Sequence, residues 1–257
     1  MKFATVQNED RAMTVVERDG KLVDLGALAS EMFEGFPPVA FPLGTDLIDA
    51  WESGNELVHA VAGAAMDKDL AQLPTLEPGT FRFLPVIPDA RQILAVGLNY
   101  LDHCREQDRT PPENPMFFAK LPSCLLGNQE PVVDWPITSQ LDYEGELAVV
   151  IGRGGRGLSE EEALSCCFGY TVMNDVTARE LQKGDKQWIR GKGLDTFGPV
   201  GPVVVTRDEL TDPQTLRIRT WVNDELKQDG TTADMVSGVA KIVSYASQAI
   251  SLAPGDI

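Results

Sequence analysis

The sequence predicts a β-rich α+β fold, in which a small amino-terminal α+β domain precedes a larger strand-rich one. Three observations predict it. Runs of β-branched and aromatic residues recur along the chain with only short helical stretches between them. A tight-turn dipeptide, Asp19-Gly20, lies between two such runs near the start. A proline-spaced stretch, carrying Pro74, Pro78, Gly79 and Pro85, separates the early elements from the rest. These place the small domain with its linker at residues 1–78 and the larger domain at 79–257, with the linker near 72–85.

Taken in order, residues 1–7 alternate in the manner of a strand, and 13–18 and 21–24 form a hairpin about Asp19-Gly20, which suits the positive φ of such a turn. Leu47, Ile48, Trp51, Leu57, Val58 and Val61 recur at helical spacing. Residues 92–97 are a short apolar strand, and Asn99 is placed to cap a helix through about Gln107, which Pro111-Pro112 terminates. Further strands are expected at 146–151, 168–173, 202–206 and 216–222, with Asn223-Asp224 as a turn. The last helix is predicted over 233–250, its stripe formed by Met235, Val236, Val239, Ile242, Val243, Ala246 and Ile250.

Composition narrows the function classes. Hydrophobic residues make up 43% and charged residues 24%, and no apolar run reaches the length of a bilayer span, so a cytoplasmic protein without a membrane partner is expected. A formal net charge of −17 argues against nucleic acid as a partner. Cys104, Cys124, Cys166 and Cys167 have neither zinc-knuckle nor disulfide spacing, and reduced buried thiols are expected. The string Gly152-Arg153-Gly154-Gly155-Arg156-Gly157 matches a dinucleotide fingerprint in letters. However, Ser159 and Glu162 would cap a helix starting only beyond its last glycine, which favours a glycine-rich turn.

Two carboxylates, Glu144 and Glu146, stand two apart at the entrance to a strand and so share one face. Solvent-facing alternation explains most such pairs. A bound cation would explain this one if a third acid joined it, and Asp175, at the end of the 168–173 run, is the candidate; its alternative role is to cap the segment that follows. Converging, the three would offer hard oxygen ligands without His or Cys, which suits Mg²⁺ or Mn²⁺. His103 and Glu106 stand three apart on a predicted helix, either as an oriented acid–base pair or as an exposed pair without consequence. Arg179 and Gln182 are similarly spaced and could hold a substrate carboxylate. Lys192, between two glycines, is either a ligand contact or a surface-turn lysine, and His59 reads as structural.

Four motifs in order, Val96-Gly97-Leu98-Asn99-Tyr100 with His103 and Glu106, Asp142-Tyr143-Glu144-Gly145-Glu146-Leu147, residues 174–182, and 191–199, closely resemble the fumarylacetoacetate hydrolase family over about residues 85–257. The resemblance implies a mixed β-sheet rolled on itself, a homodimer, and Glu144, Glu146 and Asp175 as ligands of Mg²⁺ or Mn²⁺, with Ca²⁺ able to substitute in crystals. It implies Arg179, Gln182 and Tyr100 as substrate contacts, and His103, Glu106 and Lys192 as catalytic residues. Members usually continue through a Gly-Thr-Pro loop, so closing strands beyond Ile257 are also expected. The activity it implies is hydrolysis of a carbon–carbon bond in a 1,3-dicarbonyl acid such as an acylpyruvate or fumarylpyruvate, through an enolate on the metal, within the catabolism of aromatic compounds. His103, oriented by Glu106, would activate the water. An oxaloacetate-type decarboxylase, an unsaturated keto-acid isomerase, hydratase or lyase, and a non-catalytic metal-binding protein are the alternatives.

Overall fold

The computed structural model describes residues 1–257. Strands β1 (Lys2–Asn8), β2 (Arg11–Arg18) and β3 (Lys21–Asp24) form an antiparallel meander. Asp19 and Gly20 take φ of 52° and 78°, the left-handed pair that lets Arg18 face Lys21 across a two-residue turn. Three helices follow, α1 (Leu25–Met32), α2 (Gly44–Glu52) and α3 (Glu56–Asp67). The helical periodicity through Leu47 and Val61 is thus split between two helices, because the Asn55 side chain accepts from the backbone N–H of Leu57 and Val58 and starts a new one. His59 is structural, its Nε2 lying 2.9 Å from the Trp51 carbonyl.

The proline-spaced stretch is bonded into the fold. Leu76 N–H donates to the Leu22 carbonyl, and β4 (Phe81–Phe83) pairs with β1. Next come β5 (Ile93–Gly97), α4 (Leu101–Glu106), β6 (Met116–Lys120), β7 (Leu125–Leu126), β8 (Leu141–Asp142) and β9 (Gly145–Ile151). They are followed by α5 (Glu160–Cys166), β10 (Cys167–Asn174), β11 (Thr177–Ala178), α6 (Arg179–Gly184) and α7 (Ile189–Lys192). The chain ends with β12 (Gly198–Pro199), β13 (Val204–Thr206), β14 (Arg217–Val222), β15 (Glu225–Thr231) and α8 (Val239–Ala249).

The main sheet runs β3-β2-β1-β13-β10-β9, with β4 also on β1, and its neighbours are antiparallel; β7 and β12 pair in parallel, so the strand set is mixed. Since β1 lies against β13, the sheet crosses the boundary drawn at 78–79. So does the largest core, where Phe3, Val16, Leu28 and Ile48 pack with Phe168, Phe197 and Val204. Residues 1–78 therefore share their core with the remainder. A second core seats α8 and α5 on β9 and β10 through Ile151, Ala163, Tyr170, Val243 and Ala246.

Two predicted helix starts move. The last helix begins at Val239 and not near Ala233, where the chain makes only a single 3-10 turn over Thr232–Asp234, since Ser237 N–H donates to Asn99 Oδ1 at 2.9 Å and Met235 is bridged to Tyr100, which hold the intervening residues out of the helix. Asn99 is consumed by that contact, also donating to the Ser237 carbonyl at 3.1 Å, and α4 starts after Tyr100 without a side-chain cap. The glycine-rich string is a packed turn. Gly152 and Arg153 N–H both donate to the Cys166 carbonyl, a Cβ at Gly154 would lie 2.5 Å from the Leu252 carbonyl oxygen, and the Ser159–Glu162 capping box opens α5 beyond it. All four cysteines are buried free thiols.

Candidate active site

The antiparallel pairing of β9 with β10 sets Glu146 opposite Met173 and Gly145 opposite Asn174. Just outside that ladder, Asp175 N–H donates to the Glu144 carbonyl at 2.8 Å, and Glu144 N–H to Asn174 Oδ1 at 3.0 Å. Strand register thereby brings together carboxylates some thirty residues apart in sequence. The helix-cap alternative for Asp175 does not apply, because its side chain is taken by lysines.

Those lysines organise the site. Lys192, at the end of α7, places Nζ 2.5 Å from Glu144 Oε2 and 2.6 Å from Asp175 Oδ2. Lys120, the last residue of β6, places Nζ 2.6 Å from Asp175 Oδ1 and also donates to the Lys192 carbonyl. Both are 2% exposed, so Lys192 is no surface-turn residue. Arg179 reaches Asp142 Oδ2 at 2.8 Å, Glu144 Oε1 at 2.7 Å and Gln182 Oε1 at 2.9 Å. Arg179 and Gln182 thus meet, as their spacing predicts, and line the Glu144 side of the cluster.

Glu146 differs from its two neighbours. It accepts no hydrogen bond and makes no ion pair with the protein, and it faces a cavity whose walls include Leu94, Val96, Phe117, Leu147 and Val243. Lys120, Asp175 and Tyr100 line the same cavity. Desolvation, with Glu144 and Asp175 nearby, pushes the Glu146 carboxyl up to about 8. For Asp175, burial acts to raise the carboxyl, but Lys120 and Lys192 outweigh it and hold it below its ordinary range. The Tyr100 hydroxyl is buried without a partner and is pushed up by burial, then by Glu146 and Asp102.

His103 and Glu106 are on one face of α4 but apart from this cluster. Their closest approach is 3.9 Å, they are 36% and 79% exposed, and neither lines the cavity. His103 Nε2 instead meets Gln107 Nε2 at 2.8 Å. Lys120 and Asp142 are site residues that sequence reasoning missed. The only signal for Lys120 was a charged residue closing the apolar run Met116-Phe117-Phe118-Ala119.

The three carboxylates are not gathered as ready ligands about one point, because the Lys192 ammonium lies between Glu144 and Asp175. The donor set still fits a hard divalent cation. An ammonium bridging two carboxylates marks a seat for positive charge, and Glu146 is a third oxygen donor without an ion-pair partner.

Known proteins are similar to this chain in sequence and in fold. The family description "Fumarylacetoacetate (FAA) hydrolase C-terminal" matches residues 92–257. Oxaloacetate tautomerase YisK of Bacillus subtilis (strain 168) is 37% identical over 269 residues, spanning 100% of this chain and 87% of that protein. Among solved structures, a fumarylacetoacetate hydrolase from psychrophilic Exiguobacterium antarcticum superposes with a TM-score of 0.79 at 37% identity, covering 100% of this chain and 84% of that one. Maleylpyruvate hydrolase from Sphingobium sp. SYK-6, in complex with manganese (II) ion and pyruvate, gives 0.78 at 29% identity, covering 100% and 86%.

Proposed function

The chain belongs to the fumarylacetoacetate hydrolase family, and from that premise we propose that it is a divalent-metal enzyme interconverting the keto and enol forms of an oxaloacetate-like acid. The observation that carries this reading is the composition of the cavity end. Glu146 and Tyr100, both without protein partners, share the cavity with the buried Lys120, while the residues suited to activating water lie outside. Tautomerisation moves one proton between carbon and oxygen of the same acid and requires no attacking water, so it does not need those outlying residues.

Glu144, Glu146 and Asp175 are the residues that would hold Mg²⁺ or Mn²⁺. Bound there, such a cation would supply positive charge to a 2-keto acid and so acidify the carbon beside its keto group. Lys192 and Lys120 contribute fixed positive charge for the negative charge that develops on the enolate oxygen. Tyr100 keeps its proton and presents a hydroxyl to a substrate oxygen. Arg179 and Gln182 border the cluster, with Arg179 held by Asp142 and Glu144, as contacts for a carboxylate. The apolar walls offer contacts for the acid's carbon skeleton. A homodimer working in the cytoplasm completes the proposal.

Hydrolysis of an acylpyruvate is the second reading, favoured by the likeness to the maleylpyruvate hydrolase structure. It requires His103 and Glu106 to reach the cavity. Two parallel assays with Mn²⁺ or Mg²⁺ separate the readings: decay of the enol absorbance of oxaloacetate, and pyruvate release from acylpyruvates and oxaloacetate. We expect accelerated enol decay that Glu144→Gln abolishes and His103→Ala retains to within about threefold. Rapid pyruvate release from an acylpyruvate that His103→Ala abolishes would overturn tautomerisation in favour of hydrolysis. Cation uptake without turnover of any acid would leave a metal-binding protein that is not an enzyme.

A further inference from the structure

Gly145 separates the two glutamates, and its backbone is held by a residue from a distant hairpin. Gln228, on β15, accepts from Gly145 N–H through Oε1 at 2.9 Å and donates to the Gly145 carbonyl through Nε2 at 2.7 Å. One side-chain amide thus satisfies both polar groups of one peptide residue. Thr220, directly opposite Gln228 in the β14–β15 ladder, donates its hydroxyl to the same Oε1 at 2.9 Å. A register shift next to this pair, between Thr220 and Trp221, places Lys227 as an extra residue, and such a bulge re-aims neighbouring side chains. Gln228 is half-buried where residues 221–227 are all exposed. No side chain fits at residue 145, since a Cβ there would lie 2.5 Å from Thr220 Oγ1 and 3.1 Å from Gln228 Oε1.

We propose that Gln228, braced by Thr220, is a positioning residue that fixes the Glu144-Gly145-Glu146 backbone so that both carboxylates face one cation. The inference rests on the reading of Glu144 and Glu146 as ligands. Both flank a peptide residue whose rotation would swing them apart, and the amide clamp prevents that rotation. Gln228 touches neither substrate nor cation.

The test titrates the full-length protein with MnCl₂ by calorimetry, in the wild type, Gln228→Ala, Thr220→Val and the hairpin control Lys227→Ala. Gln228→Ala is expected to weaken Mn²⁺ binding by about 10–100-fold, in line with other residues that orient metal ligands, and Thr220→Val by a few-fold, while Lys227→Ala matches the wild type. Adding Gly145→Ala to Gln228→Ala should cost less than the sum of the two single effects, because both act on the same peptide. Amide exchange at Gly145 should accelerate in Gln228→Ala while the metal-free melting temperature stays close to that of Lys227→Ala. Wild-type Mn²⁺ affinity in Gln228→Ala, or strict additivity with Gly145→Ala, overturns the positioning role alone. A loss of metal-free stability matching the loss of affinity, with faster exchange throughout β14–β15, reassigns Gln228 to holding the hairpin together. A wild-type protein that takes up no Mn²⁺ overturns the ligand assignment itself.

Discussion

Glu146 couples folding to pH in the opposite sense to a paired carboxylate. Its ordinary value is 4.5 and its folded value about 8, so within that window the unfolded chain has released the proton and the folded protein keeps it. Stability contributed by this group therefore falls as pH rises from about 4.5 to 8 in the absence of a cation. Glu146→Gln should remove that slope, leaving the metal-free variant more stable than the wild type near pH 9 by on the order of 2 kcal/mol, after a discount for the cavity's access to solvent. Urea denaturation in a chelator at about pH 5 and about pH 9 measures it; equal stability changes at both values would contradict the burial of this carboxyl. Residues on this scale were readable in the sequence when their spacing was local. Glu144 and Glu146 share a strand entrance, and Arg179 and Gln182 a helical turn. Lys120 was not readable, because the Asp175 that makes its burial tolerable lies 55 residues further on.

At the scale of elements, turns needing positive φ were the most readable feature. Asp19-Gly20 and Asn223-Asp224 each occupy the left-handed region at both positions, a preference that belongs to the dipeptide itself. Helix starts were less readable, since a partner far along the chain decided them. The periodicity from Met235 onward continues a helical stripe, yet the pairing of Asn99 with Ser237 keeps those residues out of the helix until Val239. Asn99→Ala leaves the buried Ser237 N–H without its acceptor and should cost about 1–3 kcal/mol in thermal or urea unfolding, by a mechanism that removes no apolar contact. The same link joins the entrance of α4, which carries His103, to the segment leading into α8, so proteolytic sensitivity of residues 100–110 should rise in that variant.

For the molecule as a whole, the proline-rich composition near 72–85 reports chain stiffness and not hydrogen bonding, so the bonds this stretch makes were not legible in it. Leu76 and β4 are laddered onto the first strands, and β1 continues into β13. A sheet and core shared across residue 78 predict a single cooperative unfolding transition, with fluorescence of Trp51, packed against Phe3 and Phe168, tracking far-ultraviolet circular dichroism. Two separated transitions would show instead that the early strands fold as an independent unit. The buried thiols turn this into a spatially resolved experiment. Cys104 sits in α4, Cys124 just before β7, and Cys166 and Cys167 where α5 meets β10, and none is more than 6% exposed. An alkylating reagent therefore meets three silent regions in the native state, and mass mapping of the adducts at increasing urea concentration records the order in which the helix beside the cavity, the loop behind it and the sheet beneath it open.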